Sequence, residues 1–104
     1  MEKKAEKLIV LDVRKSCSFA DYFLICSGRS NRQVQSIGSH IEERMKRDRQ
    51  ESAFGVEGYA QGHWVLLDYG DVVVHVFYDP TRAFYDLEGL WSHVPRREVA
   101  DAKP

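Results

Sequence analysis

Two apolar runs flank a short polar turn near the middle of the chain: Trp64-Val65-Leu66-Leu67-Asp68, then Tyr69-Gly70-Asp71, then Val72-Val73-Val74-His75-Val76-Phe77. Apolar, β-branched runs on either side of a glycine-containing connection are typical of a β-hairpin. Because side chains alternate between the faces of a strand, Trp64, Leu66 and Asp68 should share one face of the first strand. In the second strand, Val73, His75 and Phe77 should likewise share a face. The hairpin is therefore predicted to form the centre of a sheet.

Two further strands are predicted before the hairpin. Residues 8–13 and 22–26 are apolar runs of the kind that forms buried strands, and Ser27-Gly28 closes the second run. Cys26 lies within that run and is predicted to be a small buried hydrophobic residue. Two cysteines are too few for a disulfide framework, so a reducing compartment fits best.

An amphipathic helix is predicted after these strands. Ser30 or Asn31 can cap its start, because a short side-chain oxygen accepts a hydrogen bond from an unpaired amide of the first turn. Basic residues 44–49 at its end suit the negative end of the helix dipole, and RNA contact there is expected to be peripheral at most. Four apolar residues recur at spacings of three and four and should share one helix face: Val34, Ile37, Ile41 and Met45.

A short second helix is predicted at Asp79-Pro80, because an acidic cap followed by proline is a frequent helix start. Asp79 is expected to be the cap. Ala83, Phe84 and Leu87 are expected to face the core.

The order strand, strand, helix, hairpin, helix predicts an α/β or α+β sandwich in which helices pack on a single mixed β-sheet. A length of 104 residues fits one domain. Beyond Trp91 the apolar pattern fades. Residues 1–91 are therefore predicted to form the domain, and residues 92–104 a mobile C-terminal tail.

The composition argues against several functional classes. Fifteen basic and 16 acidic residues give a net charge of -1, which provides no global attraction for nucleic acid. No apolar stretch approaches the roughly 20 residues that span a bilayer, and no signal-like segment follows the N-terminus. We therefore expect a cytoplasmic protein that has no membrane partner.

Patterns for cofactor and metal binding are weak. Ser27-Gly28-Arg29-Ser30 has one glycine, where a loop that cradles a pyrophosphate generally has roughly two or three. The cysteines and histidines are scattered, without the close spacing of zinc ligands. We therefore expect no cofactor and no metal.

Asp68, Asp71 and His75 are the strongest candidates for catalysis, as metal ligands or as an acid-base pair at one edge of the sheet. A structural interpretation competes with this one. Asp and Gly are ordinary turn residues, and a histidine among valines is typical of a hydrogen-bonded core residue. We favour the structural interpretation and expect no enzymatic activity.

Aromatic residues are concentrated in the second half of the chain. A sheet of this size cannot bury all of them, and aromatic side chains with a polar tip are favoured at protein interfaces. Their acidic neighbours favour a basic protein partner over a phosphate backbone. The neighbours are Asp68, Asp71, Asp79, Asp86 and Glu88.

Four segments resemble the ribosomal silencing factor (Iojap-like) family: Ala20-Asp21-Tyr22-Phe23, Gly28-Arg29-Ser30 with the helix after it, the string from His63 to Phe77, and Tyr85-Asp86-Leu87-Glu88-Gly89-Leu90-Trp91. The long string is more specific than any short catalytic motif. The resemblance implies a factor that binds the large ribosomal subunit through large-subunit ribosomal protein fourteen, blocks subunit joining sterically and so represses translation. It also implies a nucleotidyltransferase-like sandwich, although the chain lacks the paired metal-binding aspartates that such chemistry needs on one strand.

The same resemblance implies which residues contact the partner. It places the contact surface on the hairpin and on the closing motif, with two aspartates as charge partners. The contact residues would be Trp64, Tyr69, Phe77, Tyr85 and Glu88, and the charge partners Asp68 and Asp71.

Two departures from the family pattern are expected. Family members commonly carry a helix before residues 3–6 and would end closer to Trp91. An apolar face left open by that helix would favour self-association, so a homodimer is predicted. Two other functions stay open: a nucleotidyltransferase-like phosphate-handling enzyme, and an RNA-binding module that depends on residues 44–49.

Overall fold

The computed structural model describes residues 5–99, which contain six strands and three helices. The strands are β1 Glu6–Asp12, β2 Tyr22–Gly28, β3 Gly55–Glu57, β4 Trp64–Asp68, β5 Val72–Tyr78 and β6 Arg96–Glu98. The helices are α1 Asn31–Arg49, α2 Asp79–Tyr85 and α3 Leu87–Leu90. All the predicted elements are present, whereas β3, α3 and β6 were not predicted.

The six strands form one mixed sheet in the order β3-β4-β5-β2-β1-β6. The central strands β2 and β5 pair in parallel, with Phe23 opposite Val73, and the other neighbouring strands are antiparallel. A parallel pair needs a long crossover, and α1 with the β3 and β4 strands supplies it. The predicted class, helices packed on a single mixed sheet, is confirmed.

Each face of the sheet has its own apolar core, as the alternation of side chains in the hairpin predicts. The face covered by α1, called the helix face here, buries Cys26, Val34, Ile37, Val65, Leu67, Val74 and Val76. The opposite side, called the second face, buries Ile9, Leu11, Val13, Ala20, Phe23, Ile25, Val73, Phe77 and Val94. Trp64 and Leu66 pack against this second core and remain partly exposed.

Helix α1 has the predicted cap and the predicted buried stripe. The Ser30 hydroxyl accepts a hydrogen bond from the Gln33 amide at 3.0 Å. Val34 and Ile37 are buried, while Ile41 and Met45 are partly buried nearer the end of the helix. Gly38 has a packing role, because a Cβ there would lie 2.7 Å from the Tyr59 hydroxyl.

The prediction for the second helix is partly wrong. Tyr78 is the cap residue, and Asp79 lies inside the first turn, before Pro80. Ala83 and Phe84 are exposed, and the buried residue of α2 is Arg82. Leu87 is partly buried and packs on the second core, as predicted.

The prediction of a mobile tail is wrong for the part of residues 92–104 that the structure describes. Arg96–Glu98 forms β6, which pairs antiparallel with β1 through partners such as Val10 and Arg97. Val94 is 8% exposed and belongs to the second core. A strand of three residues has too little periodicity to be recognised in a sequence. Residues 100–104 lie outside the described part.

Candidate protein-binding surface

Three aromatic side chains meet on the second face of the sheet and are called the aromatic surface here. Trp64, at the start of β4, contacts Tyr85, at the end of α2, with 5.0 Å between ring centroids. Phe84 contacts Tyr85 edge to face at 5.1 Å. Tyr85 is 51% exposed and Phe84 is 80% exposed. The surface therefore presents large aromatic rings to solvent.

Two buried rings support Trp64 from the sheet. Phe77 is its cross-strand partner on β5, with 4.7 Å between ring centroids. The Trp64 indole N–H donates a hydrogen bond to His75 Nδ1 at 3.2 Å. Trp64 is consequently held by packing on one side and by a polar contact on the other. Such a fixed ring loses little conformational freedom when a partner binds.

Phe77 is fully buried, so the prediction that it contacts a partner directly is wrong. Phe77 lies in the second core, and it affects the aromatic surface only by supporting the Trp64 ring. The predicted core role of His75 is confirmed. Its ring is 6% exposed, and burial lowers its pKa from 6.5 to about 4.

A shallow groove of about 500 Å³ lies beside the aromatic surface. Trp64, Phe84 and Tyr85 form part of its wall. Its other lining residues are Gln61, His63, Tyr78, Pro80 and Thr81. The groove continues the aromatic surface across the join between β5 and α2, so a protruding side chain of a partner could enter it.

A buried ion pair holds the two short helices together. Arg82 Nη2 lies 2.8 Å from Glu88 Oε2, and the two side chains are 9% and 18% exposed. The Arg82 guanidinium also donates to the Lys7 carbonyl at 2.8 Å and to the Ser27 hydroxyl at 3.1 Å. Glu88 therefore has a partner within the chain, which favours a structural role over the predicted contact role.

The residues predicted at the hairpin turn lie apart from the aromatic surface. Asp68 is four residues beyond Trp64 on β4, which corresponds to about 13 Å along a strand. Its Oδ1 accepts a hydrogen bond from the Gly70 amide at 2.9 Å, so the turn interpretation of Asp68 is confirmed. Asp71 is exposed, and Tyr69 packs on the helix face. The predicted site residues thus fall into two groups.

Charges around the aromatic surface are mainly acidic. Asp86 is exposed and caps α3 by accepting a hydrogen bond from the Gly89 amide at 3.2 Å. Asp79 lies partly exposed in the first turn of α2. Of the two nearby cations, Arg82 is buried and paired with Glu88, and Lys7 is exposed in a groove that it shares with Asp79 and Asp86. This arrangement suits a basic partner.

Basic residues on α1 lie elsewhere, and two of its five lysine and arginine residues form ion pairs with carboxylates of the same helix. Arg44 Nε lies 2.9 Å from Asp48, and Arg47 lies within 4.0 Å of Glu43. Nearby carboxylates reduce the local positive potential that an RNA backbone requires. Within residues 5–99, no cluster of three or more His, Cys, Asp or Glu side chains is placed to hold a metal ion. In the same range, no helix has the length and apolarity needed to cross a membrane.

Comparison with known proteins identifies the family to which the chain belongs. A family model described as ribosomal silencing factor during starvation matches residues 1–104. The chain belongs to the ribosomal silencing factor family. The ribosomal silencing factor RsfS of Halalkalibacterium halodurans is 44% identical over 98 residues, which cover 94% of this chain and 83% of that protein. RsfS of Bacillus subtilis is 43% identical over 101 residues, which cover 94% and 82%.

Solved structures of the ribosomal silencing factor family share this fold. A crystal structure of a protein from Chromobacterium violaceum superposes with a TM-score of 0.83 and 34% identity, covering 99% of this chain and 82% of that chain. The family model matches residues 1–104 and so extends past Trp91. The expectation that family members end closer to Trp91 is therefore wrong. The family is regulatory, as its name states, and its members are not known as enzymes.

The sequence pattern missed Phe84 and Arg82 as contributors to the surface. The helix pattern predicts that Phe84 faces inward, and it does not single out Arg82, because arginine is rarely buried. The available signal was the pair Arg82 and Glu88, since two opposite charges six positions apart can bracket a helix break. Asp86, with φ of 48°, is that break.

Proposed function

We propose that this chain represses translation by binding the large ribosomal subunit in the cytoplasm through large-subunit ribosomal protein fourteen. Steric exclusion of the small subunit is the proposed mechanism. Membership of the ribosomal silencing factor family supports the proposal. An exposed aromatic surface among acidic groups supports it too, because such surfaces suit a basic protein partner.

The observation that carries the proposal is the contact between Trp64 and Tyr85. Tyr85 is half exposed, yet it rests on a ring that Phe77 and His75 hold in place. Aromatic residues that are exposed and preorganised are the residues on which binding energy concentrates. We therefore propose Trp64 and Tyr85 as the principal contacts, with Phe84 beside them.

We propose that the residues at the hairpin turn contribute less to binding than the aromatic surface does. Asp68 and Asp71 would supply charges at the rim, where they guide association more than they add affinity. Tyr69 would contact only a partner that extends around the turn. Glu88 would act through its ion pair with Arg82.

Co-sedimentation with purified large ribosomal subunits tests the proposal. Tyr85→Ala and Phe84→Ala remove exposed rings and should leave the fold intact. Tyr85→Ala should weaken binding by about 30-fold or more, which corresponds to about 2 kcal/mol, the size expected of a principal interface residue. Trp64→Ala should also lose binding, but it disturbs packing, so circular dichroism must accompany it.

Phe19→Ala is the matched control. Phe19 is 70% exposed and precedes β2, whose first residue, Tyr22, pairs with Val72. Trp64 pairs with Phe77, so Phe19 lies toward the opposite end of the sheet. The control should bind like the wild type. Equal weakening by Phe19→Ala and Tyr85→Ala would contradict the placement of the interface, and absence of wild-type binding would contradict the function.

A subunit-joining assay tests the mechanism separately. Wild-type protein added to small and large subunits should lower the yield of whole ribosomes, and Tyr85→Ala should not. Binding without any effect on joining would contradict steric exclusion.

We also propose a homodimer. Phe54 is 82% exposed and adjoins a groove of about 680 Å³ on the helix face, lined in part by Leu24, Ile41 and Val72. A protruding ring next to an apolar groove allows two copies to exchange rings across a twofold axis. Light scattering at micromolar concentration should give twice the 12.0 kDa of one chain. A sharp monomer mass would contradict the dimer.

A further inference from the structure

The anchoring of α2 and α3 depends on a polar side chain to an unusual degree. Arg82 is the buried residue of α2, and α3 has no buried residue. Leu87, the first residue of α3, is partly buried and packs on the second core. Phe84 and Tyr85, which the same helix presents to solvent, contribute little burial of their own. Apolar anchoring of this segment comes mainly from Leu87 and from Trp91, which caps α3 and contacts Phe23 at 5.1 Å, so α2 itself is held largely through Arg82.

Strand β1 is distorted where Arg82 reaches it. Glu6 pairs with Ser27 and Ile9 pairs with Ile25, so β1 has one residue more than β2 between these two pairs. Lys7, in this bulge, has φ of 53°. A bulge removes backbone groups from the regular ladder and changes the direction in which they point. Arg82 Nη2 donates to the Lys7 carbonyl at 2.8 Å.

The guanidinium group joins three elements at once. Besides Lys7, it donates to the Ser27 hydroxyl on β2 at 3.1 Å and to Glu88 on α3 at 2.8 and 3.1 Å. Arginine can do this because its donors form a rigid planar fork, whereas lysine has a single nitrogen. Arg82 lies before Asp86 and Glu88 lies after it, and Asp86 is the residue at which α2 ends and α3 begins.

We infer that Arg82 is a positioning residue, which clamps α2 and α3 to the bulge of β1 and so holds Tyr85 against Trp64, with Phe84 packed on Tyr85. The inference deepens the proposed function and rests on it. Arg82 is 7% exposed, so it cannot form a substantial direct contact with a partner. If the rest of the sheet stays protected, an effect of its replacement on ribosome binding acts through the position of the aromatic surface and not through a lost contact of Arg82. The bulge of β1 provides the Lys7 carbonyl that accepts a hydrogen bond from Arg82.

Arg82→Met tests the clamp, because methionine keeps an apolar stem and removes every hydrogen bond of the guanidinium. Arg44→Met is the matched control, since Arg44 is exposed on α1 and pairs with Asp48 alone. Two properties are measured for each variant. Hydrogen exchange reports local opening of residues 79–90 relative to α1 and β5. Co-sedimentation reports affinity for the large ribosomal subunit.

Arg82→Met should speed exchange across residues 79–90 by at least tenfold, leave α1 and β5 protected, and lower affinity by at least tenfold. Arg44→Met should change neither. Arg82→Lys, which keeps the charge, should fall between wild type and Arg82→Met, and it replaces Arg82→Met if that variant does not fold.

Three outcomes would overturn the clamp: unchanged exchange in residues 79–90, uniform loss of protection throughout the sheet, or faster local exchange with full affinity. Failure of the wild type to bind large subunits would contradict the proposed function. The exchange measurement would still decide whether Arg82 holds the two helices.

Discussion

Trp64 and His75 are joined across neighbouring strands by a hydrogen bond in which the indole N–H donates to Nδ1 at 3.2 Å. Nδ1 must be unprotonated to accept it, so the neutral ring carries its proton on Nε2. Nε2 is buried and finds no hydrogen-bond partner among residues 5–99. A second proton on this ring would remove the acceptor and place a charge in the core. The pair therefore requires a neutral histidine.

This requirement predicts a loss of stability in mild acid. Burial lowers the pKa of His75 from 6.5 to about 4, so between these values the unfolded chain binds a proton that the folded chain does not. The free energy of unfolding is therefore unaffected by His75 well above about pH 6.5, and it falls as the pH is lowered from there toward about 4. At pH 5 the loss should be about 2 kcal/mol.

Urea unfolding at pH 7.5 and pH 5 measures this effect. His75→Gln is the control, because its side chain has an oxygen that can accept a hydrogen bond and has no titratable group. The difference in unfolding free energy between the two pH values should be smaller in His75→Gln by about the same 2 kcal/mol. Equal pH dependence in both proteins would show that His75 is not responsible.

Phe77 should affect stability much more than ribosome binding. Phe77→Ala opens a cavity in the second core and should lower the free energy of unfolding by about 3–5 kcal/mol, measured by chemical denaturation. Phe77→Leu keeps most of the volume and should bind large subunits like the wild type at a temperature where both are folded. Strong loss of binding by folded Phe77→Leu would restore the direct contact role.

Gly58 should be required for the position of β4. It has φ of 95°, and a Cβ there would lie 1.9 Å from the Trp64 carbonyl oxygen. Gly58→Ala should destabilise the fold by more than about 1 kcal/mol in thermal or urea unfolding. Gly55→Ala is the control, because its Cβ would lie in ordinary contact with Asp68 at 3.9 Å. Similar stabilities of the two variants would contradict the prediction.

Ser30 should stabilise α1 through its cap. Ser30→Ala removes the acceptor for the Gln33 amide and should cost about 1 kcal/mol in the free energy of unfolding. Ser18→Ala, in the exposed loop before β2, should be close to neutral. If Ser30→Ala left the free energy of unfolding unchanged, water would be replacing the Ser30 hydroxyl as acceptor for the Gln33 amide at no cost in stability.

The regular elements could be predicted because their residues follow the geometry of strand and helix. Val65 and Leu67 alternate with Trp64 and Leu66, and the structure places the two pairs on opposite faces. Val34 and Ile37 are one helical turn apart and are buried together. In these segments each local pattern agrees with the final packing, so the sequence was sufficient.

The site could be predicted only in part, because its surroundings are irregular. Trp64 and Tyr85 are 21 positions apart, and their contact depends on how α2 leaves β5. That direction depends on the buried guanidinium of Arg82 and on the bulge at Lys7, which has no signature in hydrophobic periodicity. Phe77 lies on the predicted face with Val73, but strand alternation does not reveal that the Trp64 ring covers it there.

The pairing of β1 with both β2 and β6 sets an order of assembly during protein synthesis. One edge of β1 can be covered as soon as β2 emerges, but the other stays open until Arg96–Glu98 has been made. The parallel partner of β2 is also late, since β5 follows it by more than 40 residues. A nascent chain of this protein therefore holds unpaired strand edges until β5 and β6 have been made. We expect the protein to become competent for binding only after Arg96–Glu98 has been synthesised and has paired with β1.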